Sequence, residues 1–237
     1  MAISDPVYLK APADHYALTE ADLLRFQEEH DLGMMLPSAE LLNRPTDAVP
    51  IHAIGSTKIQ NIIDRLFATA NGQRANPDDN GPKRRLVGLA APQIGEPYSI
   101  ILVDTSVSKD RKSLGNLECF INPKILWQSD AVAEGREGCF SAGPVWGVVE
   151  RPVELKIEAY DHKGNRIERT FKDFTARVAH HEIDHLHGMR FPDRIANDAK
   201  RHWVHTEELP DYPDHMHEWP RICTLARWEA FKRGDTL

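Results

Sequence analysis

The sequence predicts a mostly antiparallel sheet accompanied by two amphipathic helices, and three observations carry that prediction. Short β-prone runs, Tyr98 to Val103, Leu117 to Ile121, Val145 to Val149 and Val153 to Tyr160, are separated by Gly, Pro or Asp breaks. Between Ser56 and Ala70 the apolar residues Ile59, Ile62, Ile63, Leu66 and Phe67 recur at helical spacing. After Asp173 the period changes to the helical one again, and Phe174, Val178, His181, Glu182, His185 and Leu186 fall on one face.

Taken in order, residues 1–55 mix proline, charge and short helical patterns, with Thr19 expected to cap a helix through Phe26, and read as an N-terminal extension packed on the core. The helix at 56–70 should pack its apolar stripe on that core. Asn71 to Pro82 is rich in Asn, Gly, Asp and Pro and reads as an exposed loop. Val153 to Glu158 alternates apolar and charged residues, as a strand with one wet face does, and Asp161 to Asn165 turns it into a partner strand. Asp173 is expected to cap the second helix and Gly188 to end it. Residues 56–196 carry these patterned elements, and 197–237 follow them as a C-terminal extension.

Bulk properties exclude several classes. At 237 residues, 41% hydrophobic and 27% charged, the chain is an ordinary globular one, and no apolar run approaches the roughly 18 residues of a membrane span. Met1 to Pro6 has neither the basic leader nor the apolar stretch of a secretory signal, so a cytoplasmic location is expected. Cys119, Cys139 and Cys223 are too few for a disulfide framework, which fits a reducing compartment. A net charge of −7 gives no general attraction to phosphate backbones, so nucleic acid is not the expected substrate. The basic residues Arg227, Lys232 and Arg233 leave room for a local RNA or ribosome contact.

Chemistry enters with His181-Glu182-Ile183-Asp184-His185. Imidazoles four residues apart lie one turn above each other on a helix and can hold one divalent ion. Glu182 would then stand beside the activated water, placed to accept its proton and pass it to a leaving amine. Catalytic sites of this type use three protein ligands. Cys139, in Glu137-Gly138-Cys139-Phe140-Ser141, is the strongest third candidate, whereas Cys119 and Cys223 read as buried inert thiols. Gln93, in Gly88-Leu89-Ala90-Ala91-Pro92-Gln93-Ile94-Gly95, is either an amide donor to an oxyanion or a solvated turn residue.

These three clusters, GLAAPQ, EGCFS and HEIDHLHG, stand in one order along the chain. In order and wording they resemble the peptide deformylase family, whose segments read GLAAxQ, EGCLS and HExDHLxG. The resemblance covers roughly residues 56–196. It implies a compact α+β fold with the metal helix packed against antiparallel sheets, and a nascent polypeptide beginning with N-formylmethionine as substrate. It makes Cys139, His181 and His185 the metal ligands, Glu182 the acid and base, and Gln93 with the Phe140 backbone N–H the oxyanion donors. Fe(II) is the implied native metal and Zn(II) a common occupant. Two positions depart from the family's wording: Leu86 stands where a glycine is usual, and Phe140 where leucine is usual.

Substrate contacts are expected from Val87, Gly88, Gly138 and Arg151, the last of these being otherwise a solvated or salt-bridged residue, with Phe174 and Val178 forming the floor of a methionine pocket or simply part of the core. Asp184 should orient a ligand imidazole or face water. Two other readings compete. One is a zinc endopeptidase whose third ligand comes from Glu207, Glu208, His215 or His217. The other is a family member that binds peptides without cleaving them, against which the presence of Glu182 and Gln93 argues.

Overall fold

The computed structural model describes residues 34–72, 85–109 and 115–235, so the helix expected at Thr19 to Phe26 and most of the loop from Asn71 to Pro82 lie outside the described residues. The first described helix, α1 (Thr57–Ala70), starts where Ser56 accepts a hydrogen bond from the Ile59 N–H and buries Ile59, Ile62, Ile63 and Leu66. Full burial of each such side chain is worth about 1.5–3 kcal/mol, which holds the helix to the sheet beneath it.

That sheet has five antiparallel strands in the order β1 (Gly88–Ala90), β2 (Ile100–Asp104), β3 (Leu117–Gln128), β6 (Glu154–Tyr160) and β7 (Arg166–Lys172). Both faces of its middle are covered, which explains why β2 is a continuous apolar run. Ile100 and Leu102 pack toward α1, while Ile101 and Val103 join the cluster around the second helix, α2 (Asp173–Leu186). The chain leaves this sheet after Gln128 and builds a second one of three antiparallel strands, β4 (Val132–Gly138), β5 (Val145–Pro152) and β8 (Arg201–Trp203). The sheets therefore close on α2 from two directions.

One expectation is corrected here, and one strand is added. Asp173 does not cap α2: the Lys172 N–H donates to Thr175 Oγ1, while the Asp173 N–H is already given to the Val153 carbonyl. Strand β4 was not expected, because Val132-Ala133-Glu134-Gly135-Arg136-Glu137-Gly138 carries two glycines and three charges. Gly188, with φ of 70°, does lie just past the end of α2.

The described parts of the terminal segments, 34–55 and 197–235, join the same body. Val49 and Ile54 enter the α1 cluster. At the other end come the single-turn helix α3 (Tyr212–His215) and then α4 (Leu225–Arg233), whose Trp228 and Phe231 pack with Val145, Val149, Phe191 and Trp203.

Candidate metal centre

α2 presents different residues to its two neighbours. Ala176, Ala179, Ile183 and Leu186 face the five-stranded sheet and are buried in its apolar cluster. His181 and His185, one turn apart, face the junction between sheets, where Cys139 ends the run of β4 and opens the short turn Phe140–Ala142. One ligand atom from each of Cys139, His181 and His185 lies within 4.8 Å of the other two. Cys139 Sγ is 3.4 Å from His185 Nε2. This is the one such group of His, Cys, Asp and Glu among the described residues, and the alternative ligand Glu208 is instead paired with Arg221.

The imidazoles are held from behind. Glu137 Oε2 accepts from His181 Nδ1 at 2.9 Å, which leaves Nε2 of that ring for a metal. Glu137 is itself clamped by Arg151, whose Nε and Nη2 each donate at 2.9 Å, and by Arg177 Nη1 at 2.8 Å. Burial alone would raise the Glu137 carboxyl, but the Arg151 guanidinium overrides it and holds the group well below the usual carboxylate range. Burial and then the charge of His181 push His185 well below the ordinary histidine value, so it is the neutral imidazole that a metal requires. For His181 burial opposes charge, yet the Cys139 sulfur and Glu137 carboxylate beside it hold its pKa well above the ordinary value. A cation held by these three side chains would have to displace the proton on His181, so binding would release a proton.

Arg151 requires a correction. It was expected at the substrate backbone, but it is 4% exposed, and its guanidinium is spent on Glu137 and, through Nη1 at 2.6 Å, on Asp184. Asp184 touches neither ligand imidazole by hydrogen bond; it accepts from Arg151 and from Arg194. The residues missed from sequence are Glu137 and Arg177. Arg177 could have been found by its place four residues before His181, on the same helix face.

Glu182 is 5% exposed, and its Oε2 has no hydrogen-bond partner among the described residues. A buried carboxylate oxygen left empty-handed is costly unless a water or ligand proton meets it. Burial, the largest influence, raises this carboxyl to about 7, with the positive charge of His181 opposing. Gly88 makes the room: a Cβ there would lie 2.8 Å from Val178 Cγ1 and closer still to Glu182 Oε1. Gly138 is needed for a different reason, since the Trp146 ring across the β4–β5 pair occupies the place of its side chain.

Gln93 is buried, not solvated. Its Oε1 accepts from the Ala90 N–H at 2.8 Å, which turns the amide nitrogen toward the site, 3.4 Å from Cys139 Sγ and 3.2 Å from Ser141 Oγ. Val87 and Phe174 are half-buried against the α2 cluster, and Leu86 packs on the α1 cluster. Cys119 and Cys223 are buried thiols, each pushed up to about 12 mainly by burial, and are inert as expected.

A sequence model of the family described as polypeptide deformylase matches residues 36–201, a span that holds every ligand and donor described above. The chain belongs to the polypeptide deformylase family. It is 35% identical over 169 residues to "Peptide deformylase 2" of Nostoc sp., covering 68% of this chain and 86% of that one. It is also 35% identical over 140 residues to "Peptide deformylase 2" of Vibrio cholerae, covering 59% of this chain and 71% of the relative. Among solved structures, the class I type b peptide deformylase of Acinetobacter baumannii bound to Met-Ala-Ser superposes with a TM-score of 0.60 at 28% identity, covering 68% of this chain and 96% of that one. The deformylase family match extends about twenty residues further toward the N-terminus than the motif resemblance, which took in roughly residues 56–196.

Proposed function

We infer that this protein is a metal-dependent hydrolase that removes the formyl group from the N-terminal formylmethionine of newly made polypeptides and releases formate. The observation that carries the reading is the gathering of the Cys139, His181 and His185 ligand atoms within 4.8 Å of one another, with the next residue on the helix, Glu182, buried and its Oε2 without a hydrogen-bond partner among the described residues. Those three residues would hold one divalent metal, and a thiolate with two imidazoles suits Fe(II), our choice for the native ion, as well as Zn(II). Such an ion supplies Lewis acidity that makes a water acidic near neutral pH.

The chain's own residues do the rest. Glu182 accepts a proton from the attacking water and returns it to the methionine nitrogen as the formyl C–N bond breaks. Gln93 Nε2 and the Phe140 backbone N–H are the donors to the oxyanion, and one such donor is typically worth about 3–4 kcal/mol of barrier. Gln93→Ala is therefore expected to slow turnover on the order of a hundredfold to a thousandfold. Phe174 and Val178 floor the pocket that receives the methionine side chain and Val87 forms its opposite wall, and Gly88 and Gly138 bring backbone close to the peptide. Arg227 and Arg233 are the residues for any ribosome contact, because Lys232 is turned inward onto Asp193. A cytoplasmic setting fits three cysteines that are all free thiols, and no helix among the described residues is long and apolar enough to cross a membrane. We read residues 1–55 and 197–237 as extensions built onto a catalytic domain at 56–196.

The test is formate release from a formyl-methionyl peptide by iron-loaded or zinc-loaded protein, with an unformylated peptide as the proteolysis control. Release is expected for the wild type, and Cys139→Ser should lose both metal and activity. Cutting of the control peptide, with metal retained in Cys139→Ser, would instead favour an endopeptidase.

A further inference from the structure

We propose that Arg190, held in place by Trp228 of the C-terminal helix, is a positioning residue for the metal site, fixing the turn that carries Cys139 and the Phe140 N–H. The proposal rests on the ligand reading above and deepens it. Arg190 is fully buried, and its acceptors among the described residues are two backbone carbonyls and an amide, not a carboxylate. Nη1 donates at 2.6 Å both to the Ser141 carbonyl, inside the turn, and to the Pro37 carbonyl, while Nη2 donates at 2.6 Å to Asn43 Oδ1. One guanidinium thus ties the N-terminal segment to the cysteine turn. Ser141 passes the constraint on, since its hydroxyl accepts from Gln93 Nε2 at 3.2 Å.

The C-terminal helix holds that guanidinium from the other side. The Trp228 ring lies 4.8 Å from Arg190 Cζ, a cation–π contact in a site closed to water. Asp193 locks the pair: Oδ2 accepts from the Arg190 backbone N–H at 2.8 Å, and Oδ1 accepts from Trp228 Nε1 at 2.6 Å and from Lys232 Nζ at 2.7 Å. Phe231, one turn on, packs against the far end of the same turn, where a Cβ on Gly143 would come within 3.0 Å of its ring. A buried cation satisfied by carbonyls keeps its orientation only if those carbonyls stay where they are, so the two fix each other. The C-terminal segment is on this account a working part of the site.

The experiment loads the full chain with Co(II), whose bond to a cysteine thiolate gives a charge-transfer absorption, and follows kcat and KM in parallel. Wild type should show the band. Arg190→Gln should remain folded by circular dichroism, shift the band, weaken Co(II) binding about 10–100-fold, and lower kcat with little change in KM, as loss of support behind a ligand does. Arg190→Lys should also remain folded and recover the band and the Co(II) affinity in part, because an ammonium keeps the charge without the fork. If Arg190→Gln does not fold, Trp228→Phe, which keeps a ring but drops the N–H to Asp193, should give the same changes at smaller size. A folded variant with the wild-type band, Co(II) affinity and kcat would overturn the proposal and leave Arg190 as packing. Absence of the band in the wild type would overturn the Cys139 ligand assignment and this proposal with it.

Discussion

The two sides of α2 are held by opposite means. Toward the five-stranded sheet, Ala176, Ala179, Ile183 and Leu186 meet Ile101, Val103, Phe120 and Leu155 in an apolar cluster. Toward the three-stranded sheet, Arg177, His181 and Asp184 meet Glu137 and Arg151 in a chain of buried ion pairs. Apolar packing fixes how far the helix stands from the sheet but constrains rotation weakly, since dispersion has no direction. Hydrogen-bonded charges fix direction, and an imidazole that must aim one nitrogen at a metal needs direction. The buried charges cost desolvation that an apolar interface would avoid, and the return is the orientation of His181.

That contrast can be broken most severely at Glu137. Glu137→Gln leaves two guanidinium groups and an imidazole facing a neutral amide; breaking a buried pair this way is expected to cost about 3–5 kcal/mol of stability. It should also weaken metal binding by about 10–100-fold, measurable by denaturant unfolding and chelator competition. The apolar side should separate those two effects. Leu155→Ala, in a fully buried position of the α2 cluster, is expected to cost about 2–5 kcal/mol by unfolding while metal affinity stays at the wild-type value. Equal losses of metal affinity in both variants would mean that the charged side has no special role.

Acid sharpens the comparison further. Glu137 is held below its ordinary value of 4.5, so the stability it contributes is present above that pH and is lost as pH falls toward its folded value. Glu137→Gln should therefore flatten the acid limb of the stability profile. Glu182 has the opposite sign and should give the smallest effect. Its carboxyl is raised from 4.5 to about 7, so the metal-free protein binds more protons folded than unfolded across that window and loses stability as pH rises through it. Metal-free Glu182→Gln should consequently be more stable than wild type at pH 8, and the gain should vanish near pH 4.5; a constant difference across the range would contradict the shift.

The difference between the two sides also explains what could be read from the sequence. The apolar side was legible, because α1, β2 and α2 write their burial as period and run, and because β2 lies between two helices. The ligands were legible because His181, His185 and Cys139 sit in short, specific motifs. Strand β4 was hidden because its two glycines and three charges break the apolar alternation of a strand: Glu134 and Arg136 are exposed, Glu137 is spent on the ion-pair chain, and the close approach of Trp146 requires Gly138. Arg151 was read as a substrate contact since nothing local to Arg151-Pro152 announces that Glu137 and Asp184 lie opposite. Arg190 was invisible for the same reason, its partners Pro37, Asn43, Ser141 and Trp228 being scattered along the whole chain.

The most direct test of the account compares metal content and formate release in the wild type and in Glu182→Ala, measured on the same metal-loaded samples. The account predicts one metal per chain in both proteins and a fall in formate release of about 10²–10⁴-fold in the variant, the usual span for loss of a general base. A variant that keeps its metal and still releases formate at the wild-type rate would contradict it, since Glu182 would then have no proton to carry.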